Sequence, residues 1–160
     1  MHGCAHVLLL EHGNELRLPG GRLRAGEAEA DGLRRKLQSK LGASQPELAV
    51  RWDISELLAA FHRPHFTEHL YPFQPPHVTR IKEVHRLFAV QLPEHATFAV
   101  PKPSRLVAVP LFELHDNATR YGPVLASVPA LLSRLQMNVQ ESSLSASIDA
   151  GATNDHDHQP

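Results

Sequence analysis

The residues best suited to chemistry lie in a glycine turn and the helix predicted to follow it, within Gly21–Ala43. Glu27 is the carboxylate of this segment nearest the turn, and Lys36, Ser39 and Lys40 follow on the helix. Their spacing of three and four places these last three side chains on one helical face. A carboxylate face could hold Mg²⁺ against a pyrophosphate, because Mg²⁺ needs hard oxygen ligands. Two ammonium groups and a hydroxyl cannot do this, so we expect no metal ion and no hydrolysis here.

The spacing of this segment resembles a Nudix box. That motif runs as a glycine, five residues, a glutamate, seven residues, and then Arg-Glu-apolar-x-Glu-Glu-x-Gly-apolar. Gly21, Glu27 and Arg35 are in register with it, and the later positions in register are Leu37, Gly42 and Ala43. The motif's last three glutamates are replaced by the two lysines and the serine. The resemblance therefore implies a Nudix fold without catalytic residues. Two alternatives stay open: a residual hydrolase of nucleoside or dinucleoside polyphosphates that uses Glu27, and a plain amphipathic helix after a turn.

Hydrophobic periodicity predicts the elements that position this segment. A leucine stripe at helical spacing favours a helix over Glu27–Leu41, ended by Gly42. Short apolar runs predict strands, and proline-rich or polar stretches predict loops. The predicted strands are His6–Glu11, Glu47–Leu58, Val84–Leu92 and Leu106–Leu114; a second helix is predicted over Tyr121–Gln136, a long loop over Phe61–Pro76 and a disordered tail after Asn138.

Length and composition limit the class of protein. The 160 residues favour one domain, 1–138, followed by a polar tail, 139–160. The net charge of −1 gives no global basic field for nucleic acid, so any RNA binding must come from a local patch or from base recognition. The single cysteine, Cys4, excludes an internal disulfide framework. The apolar runs are too short for a membrane span or a signal peptide.

Several longer stretches resemble the small Nudix-fold subunit of eukaryotic pre-mRNA cleavage factor I, over His6 to about Asn138. The stretches that carry the resemblance are His-Val-Leu-Leu-Leu at 6–10, Leu-Pro-Gly-Gly at 18–21, Phe-Ala-Val-Pro-Lys at 98–102, Pro-Leu-Phe-Glu-Leu at 110–114, Asp-Asn-Ala at 116–118, Tyr-Gly-Pro at 121–123 and Leu-Leu-Ser-Arg at 131–134. The resemblance implies an α/β/α Nudix sandwich with a mixed sheet.

The resemblance also implies a function. Members of this family bind UGUA elements in pre-mRNA as homodimers, recruit a larger RRM-containing subunit and act in the nucleus, without hydrolysis and without a cofactor. Leu18, Tyr121 and Gly122 match family positions that contact RNA, although Tyr-Gly-Pro is also a common helix-start turn. Arg17 and Arg63 are candidates for phosphate contacts, as are Arg22 and Arg24, and solvated surface arginines are the alternative for each.

Two departures of the sequence from the family bear on RNA binding. The family has a substantial segment before the first matching strand, with a helix, a long core strand and RNA-reading residues. Here Met1 lies five residues before His6, so we expect either a truncated product or completion of the sheet by another chain. The family also has two phenylalanines before the Leu-Pro-Gly-Gly turn, whereas Gly13–Arg17 has no aromatic residue. Because base stacking contributes roughly 1–3 kcal/mol, RNA binding should be weakened, and a scaffold subunit is an alternative function.

Two further groups have competing interpretations. His62, His65 and His69 suggest a metal site, but they lie in a proline-rich loop without a nearby cysteine, so we expect no metal there. The Tyr71-Pro72-Phe73 segment fits either a contact with a partner subunit or local core packing.

Overall fold

The computed structural model describes residues 4–43, 50–67, 69–92 and 96–136. The described residues form five strands and three helices, which confirms the predicted α/β class. The elements are β1 (His6–His12), β2 (Glu15–Arg17), α1 (Glu29–Leu41), β3 (Asp53–Arg63), β4 (Glu83–Gln91), β5 (Arg105–Pro110), α2 (Leu111–Leu114) and α3 (Ala118–Leu132).

The strands form two sheets. The first has the order β2-β1-β5, with Leu9 opposite Val107, and the second pairs β3 with β4. Every pair within the described residues is antiparallel, so the mixed character expected of the sheet is not seen there. β1 occupies the centre of its sheet because its apolar run is buried at Leu9 and Leu10, as expected for a strand covered on both faces.

Two apolar clusters form the core. The first cluster packs β1 and β5 against α2 and α3, and its buried members are Leu9, Val109, Leu114, Tyr121 and Leu125. The second cluster packs α1 over the strands, and its buried members are Leu10, Leu37, Leu41, Val50 and Trp52. The leucine stripe predicted from the sequence thus fixes α1, and with it the residues of the box, on the protein core.

Four predicted elements have bounds that differ from the observed ones by two residues or more. The Glu47 strand begins only at Asp53 and runs on to Arg63, so the loop expected from Phe61 begins later; residues 44–49 lie outside the described ranges. The predicted Leu106–Leu114 strand stops at Pro110, since proline has no N–H to donate to a sheet, and α2 follows.

The other two concern helix starts. α1 begins at Glu29 rather than Glu27, and α3 begins at Ala118 rather than Tyr121. The tail expected after Asn138 lies outside the described residues. Among the helices that are described, none combines the length and hydropathy required to cross a membrane.

Candidate functional site

The glycine turn packs closely on α1. A β-carbon added at Gly21 would lie 3.1 Å from Cδ of Lys36, so the lysine side chain lies directly against the turn. Gly32 is buried in α1, and a β-carbon there would come within 2.9 Å of a Glu27 carboxylate oxygen. Gly26 has a φ of +74°, in the left-handed region that favours glycine, just before Glu27. The turn is therefore shaped to bring Glu27 back onto the helix.

Glu27 is fully engaged by protein donors. Arg35 donates from Nε to one carboxylate oxygen at 2.7 Å and from its terminal nitrogen to the other at 2.6 Å, a bidentate arrangement. The backbone N–H of Arg24 donates to the second oxygen at 2.8 Å. These hydrogen bonds, that of Arg35 first, lower the pKa of Glu27 from 4.5 to about 2 and raise the pKa of Arg35. The carboxylate that the box retains thus anchors the turn to α1.

The adjoining helical face presents cations. Lys36 is half-buried against the turn, and Ser39 and Lys40 are exposed. Ser39 also lines a wide-open hollow of about 520 Å³; its other lining residues are Gln38, Gly42, Ala43, Ala99, Val100 and Pro101. The described ranges contain no group of three or more His, Cys, Asp or Glu side chains placed to hold a metal ion. This face can attract anions, but it offers no oxygen ligand set for Mg²⁺.

Leu18 and Tyr121 are far apart in the sequence, but both pack in the first cluster. Leu18 packs against the first cluster, of which Tyr121 is a buried member at 8% exposure. The Tyr121 hydroxyl donates to a carboxylate oxygen of Glu113 at 2.5 Å, and Arg120 donates to the same oxygen at 2.8 Å. Burial, and then the bond to Glu113, raises the pKa of Tyr121. The ring is therefore a core element, and its polar edge joins a small charged network.

Gly122 breaks the helix beside this tyrosine. Its φ of +81° and ψ of 163° are non-helical and divide α3 at that point. Within the described structure, nothing lies within 4 Å of the position a β-carbon would take. The open space and glycine's lack of a side chain allow close approach of another molecule to the backbone here.

The two candidate arginines occupy different surroundings. Arg17 ends β2 beside Leu18, is exposed, and forms an ion pair with Glu15. Arg63 ends β3 in the other sheet and pairs with Glu83, which also contacts His85 at 3.2 Å. Burial raises the pKa of Glu83, but His85 and Arg63 outweigh it, so the pKa lies below its ordinary value. Arg17 is thus the chain neighbour of Leu18, which packs on the cluster that contains Tyr121, whereas Arg63 lies in the other sheet.

Glu113 and the exposed aromatics add to what the sequence indicated. The sequence predicts Glu113 within the Leu106–Leu114 strand, whereas in the structure it lies in α2 and its carboxylate accepts from Tyr121. In the predicted loop, Phe66 is 84% exposed under Lys82, whose Nζ lies 4.0 Å from the ring centre. Tyr71 is tied to β3 by paired backbone bonds with His62, yet Tyr71 and Phe73 stay exposed.

Comparison with known proteins identifies relatives of this chain. Residues 1–135 match a Nudix family described as nucleotide hydrolase. Pre-mRNA cleavage factor Im 25 kDa subunit 2 of Arabidopsis thaliana is 52% identical over 139 residues, which is 86% of this chain and 70% of that protein. Subunit 1 of the same organism is 44% identical over 85% of this chain and 62% of its own length.

A third relative comes from another organism. Cleavage and polyadenylation specificity factor subunit 5 of Dictyostelium discoideum is 46% identical over 83% of this chain and 67% of its own length. The chain therefore spans 62–70% of the length of these three relatives.

Proposed function

Because this chain belongs to the Nudix-fold family of pre-mRNA cleavage factor I small subunits, we propose that it is a non-catalytic, RNA-binding subunit in nuclear pre-mRNA 3′-end processing. The names of the relatives support the role in pre-mRNA processing, and the geometry of the box supports the absence of catalysis. The decisive observation is that Lys36 and Lys40 replace two carboxylates on the helical face beside the Glu27–Arg35 pair.

The loss of hydrolysis follows from charge. Activation of water beside a pyrophosphate by the usual route needs a divalent ion held by several carboxylates. Glu27 cannot serve as a ligand without giving up two charge-assisted bonds to Arg35, each of the stronger class of hydrogen bond. Lys36 and Lys40 would also repel the ion. A residual polyphosphate hydrolase is therefore the weaker hypothesis.

The RNA site we propose is the surface around Leu18, Arg17, Tyr121 and Gly122. The apolar side chain of Leu18 supports a base, and Gly122 lets the RNA approach the backbone. Tyr121 contributes through its hydroxyl and the Glu113 network rather than through a stacked ring, because the ring is buried. Arg63 is proposed as a more distant phosphate contact, since it lies in the other sheet and already pairs with Glu83.

A scaffold subunit with weakened RNA binding is the second candidate. The burial of the Tyr121 ring and the pairing of Arg17 with Glu15 favour it, because both reduce what is available for RNA. We propose that the exposed Phe66, Tyr71 and Phe73 form the contact with a second copy or with a larger RRM-containing subunit. Exposed aromatic groups are enriched at such interfaces.

RNA binding distinguishes the two candidates. The affinity of the protein for a UGUA-containing RNA is measured beside a scrambled RNA of the same composition. The proposal predicts tighter binding of the UGUA RNA than of the scrambled RNA. Leu18→Ala should lower the affinity for the UGUA RNA. Equal affinities for the two RNAs would contradict sequence reading and favour the scaffold.

A further inference from the structure

The turn and α1 form a local excess of positive charge on a chain whose net charge is −1. Residues 21–41 contain six lysines and arginines but only three acids. All three acids have partners in the structure: Glu27 bonds Arg35, Asp31 bonds Arg34 at 3.0 Å, and Glu29 bonds Arg86 on β4. The remaining cations of the segment, Arg22, Arg24, Lys36 and Lys40, are named the basic strip here.

The acids of this segment do not neutralise the basic strip. Across the described ranges, no carboxylate forms an ion pair with any of its four members. Arg22, Arg24 and Lys40 are exposed, and Ser39 adds an exposed hydroxyl donor between the two lysines. Lys36 and Lys40 are four residues apart, so their β-carbons lie about 6 Å from each other on one face. Together they present a field that attracts a multiply charged anion.

Lys36 connects this field to the proposed base-reading surface. Its Nζ lies 3.5 Å from the β-carbon position of Gly21, so its ammonium group lies beside the turn. Gly21 follows Leu18 by three positions, and a four-residue step such as Arg17 to Gly21 spans at most roughly 14 Å. One short strand of RNA can therefore contact both surfaces.

We propose that the basic strip binds the phosphodiester backbone of the RNA whose bases are read beside Leu18, so that lysines bind phosphate directly where a Nudix hydrolase uses a metal ion. This inference rests on the proposed function and extends it. A continuous path of cations beside an apolar base platform is the arrangement by which proteins follow single-stranded nucleic acid. Direct binding by lysine needs no divalent ion, which agrees with the lack of ligands on this face.

Salt dependence of RNA binding tests the inference quantitatively. Each phosphate contact on a single strand contributes about −0.7 to the slope of log affinity against log salt. The double variant Lys36→Gln with Lys40→Gln should therefore have a slope about 1.4 less steep than the wild type. Over a fourfold rise in salt, the affinity of the wild type should fall about sevenfold more than that of the variant. Glutamine suits a helix as well as lysine does, so α1 should remain intact.

Two matched variants control the experiment. Lys36→Arg with Lys40→Arg keeps both charges and should keep the wild-type slope. Arg51→Gln with Arg80→Gln removes two charges outside the strip and should also keep it. A wild-type slope in the glutamine variant would overturn the inference. The basic strip would then be a candidate site for an acidic protein partner. An altered slope that the arginine variant shares would overturn it as well, because charge would then not be the cause.

The same measurements separate this inference from the proposed function. In one outcome, the glutamine variant has a less steep salt slope with both RNAs while the wild type binds the two RNAs equally. This result would contradict sequence reading and retain the backbone contact. Preference of the wild type for UGUA RNA, with a wild-type slope in the glutamine variant, would retain the proposed function and overturn the inference about the basic strip. Absence of binding to either RNA would overturn both.

Discussion

The hydroxyl of Tyr121 offers the sharpest test of how the proposed RNA site is built. Tyr121→Phe keeps the buried ring and removes only the donor to Glu113. A hydrogen bond to a charged acceptor contributes roughly 1.5–3 kcal/mol. The side chain of Glu113 is 35% exposed and keeps its bond from Arg120, so the loss should lie near the low end, at about 1–2 kcal/mol.

This loss should appear directly in thermal unfolding. For a protein of this size, each kcal/mol shifts Tm by roughly 2–4 °C, so Tyr121→Phe should lower Tm by about 2–8 °C. Tyr121→Ala, which also removes the ring from the first cluster, should cost about 3–5 kcal/mol. The two variants are compared by calorimetry and urea titration, and the affinity of the phenylalanine variant for UGUA RNA is measured well below its Tm.

The outcomes differ clearly. A fall in both stability and RNA affinity for Tyr121→Phe would assign the hydroxyl a contact with RNA in addition to its structural bond. A fall in stability alone would limit Tyr121 to the core. An unchanged Tm would refute the reasoning, because it would mean that the bond to Glu113 contributes nothing measurable.

Three further predictions concern the framework of the site. Leu37→Ala should destabilise the protein by about 2–5 kcal/mol in urea unfolding, because Leu37 is 3% exposed in the second cluster; a cost below 1 kcal/mol would contradict that packing. Gly122→Ala should cost about 1–3 kcal/mol from backbone conformation alone, since φ is +81° and the space is open; a neutral effect on Tm would show that the helix break is dispensable. Because the pKa of Glu27 is lowered to about 2, its contribution to stability is present above pH 4.5 and is lost as the pH falls toward 2. In unfolding curves across this range, Arg35→Gln should lose that pH dependence. Identical pH profiles of stability for the wild type and the variant would refute the assignment.

The sequence predicted the parts of the fold that local pattern dictates. The leucines of α1 and the apolar run of β1 each bury a face that their own spacing defines, so the sequence alone predicts both elements. The register of Gly21, Glu27 and Arg35 likewise indicated the box, and the ion pair between the last two gives that spacing a structural reason.

What the sequence missed depends on tertiary contacts. α2 continues an apolar run that looks like a strand, and Pro110 ends that strand while the N–H of Leu111 bonds Ala5 at the start of β1. The burial of Tyr121 results from packing among β1, β5, α2 and α3, which lie far apart in the chain. The family resemblance implies an RNA contact at Tyr121, but no local pattern indicates that its ring is covered.

Hydrolysis of a dinucleoside polyphosphate tests the central claim that the box binds rather than cleaves. Diadenosine polyphosphate is incubated with the protein and Mg²⁺, and release of nucleotide or phosphate is compared between the wild type and Glu27→Gln. The engaged carboxylate of Glu27 and the lysine-bearing face predict no release above the protein-free background for either protein. Mg²⁺-dependent release by the wild type that disappears in Glu27→Gln would contradict the account, because it would mean that Glu27 leaves Arg35 and serves catalysis.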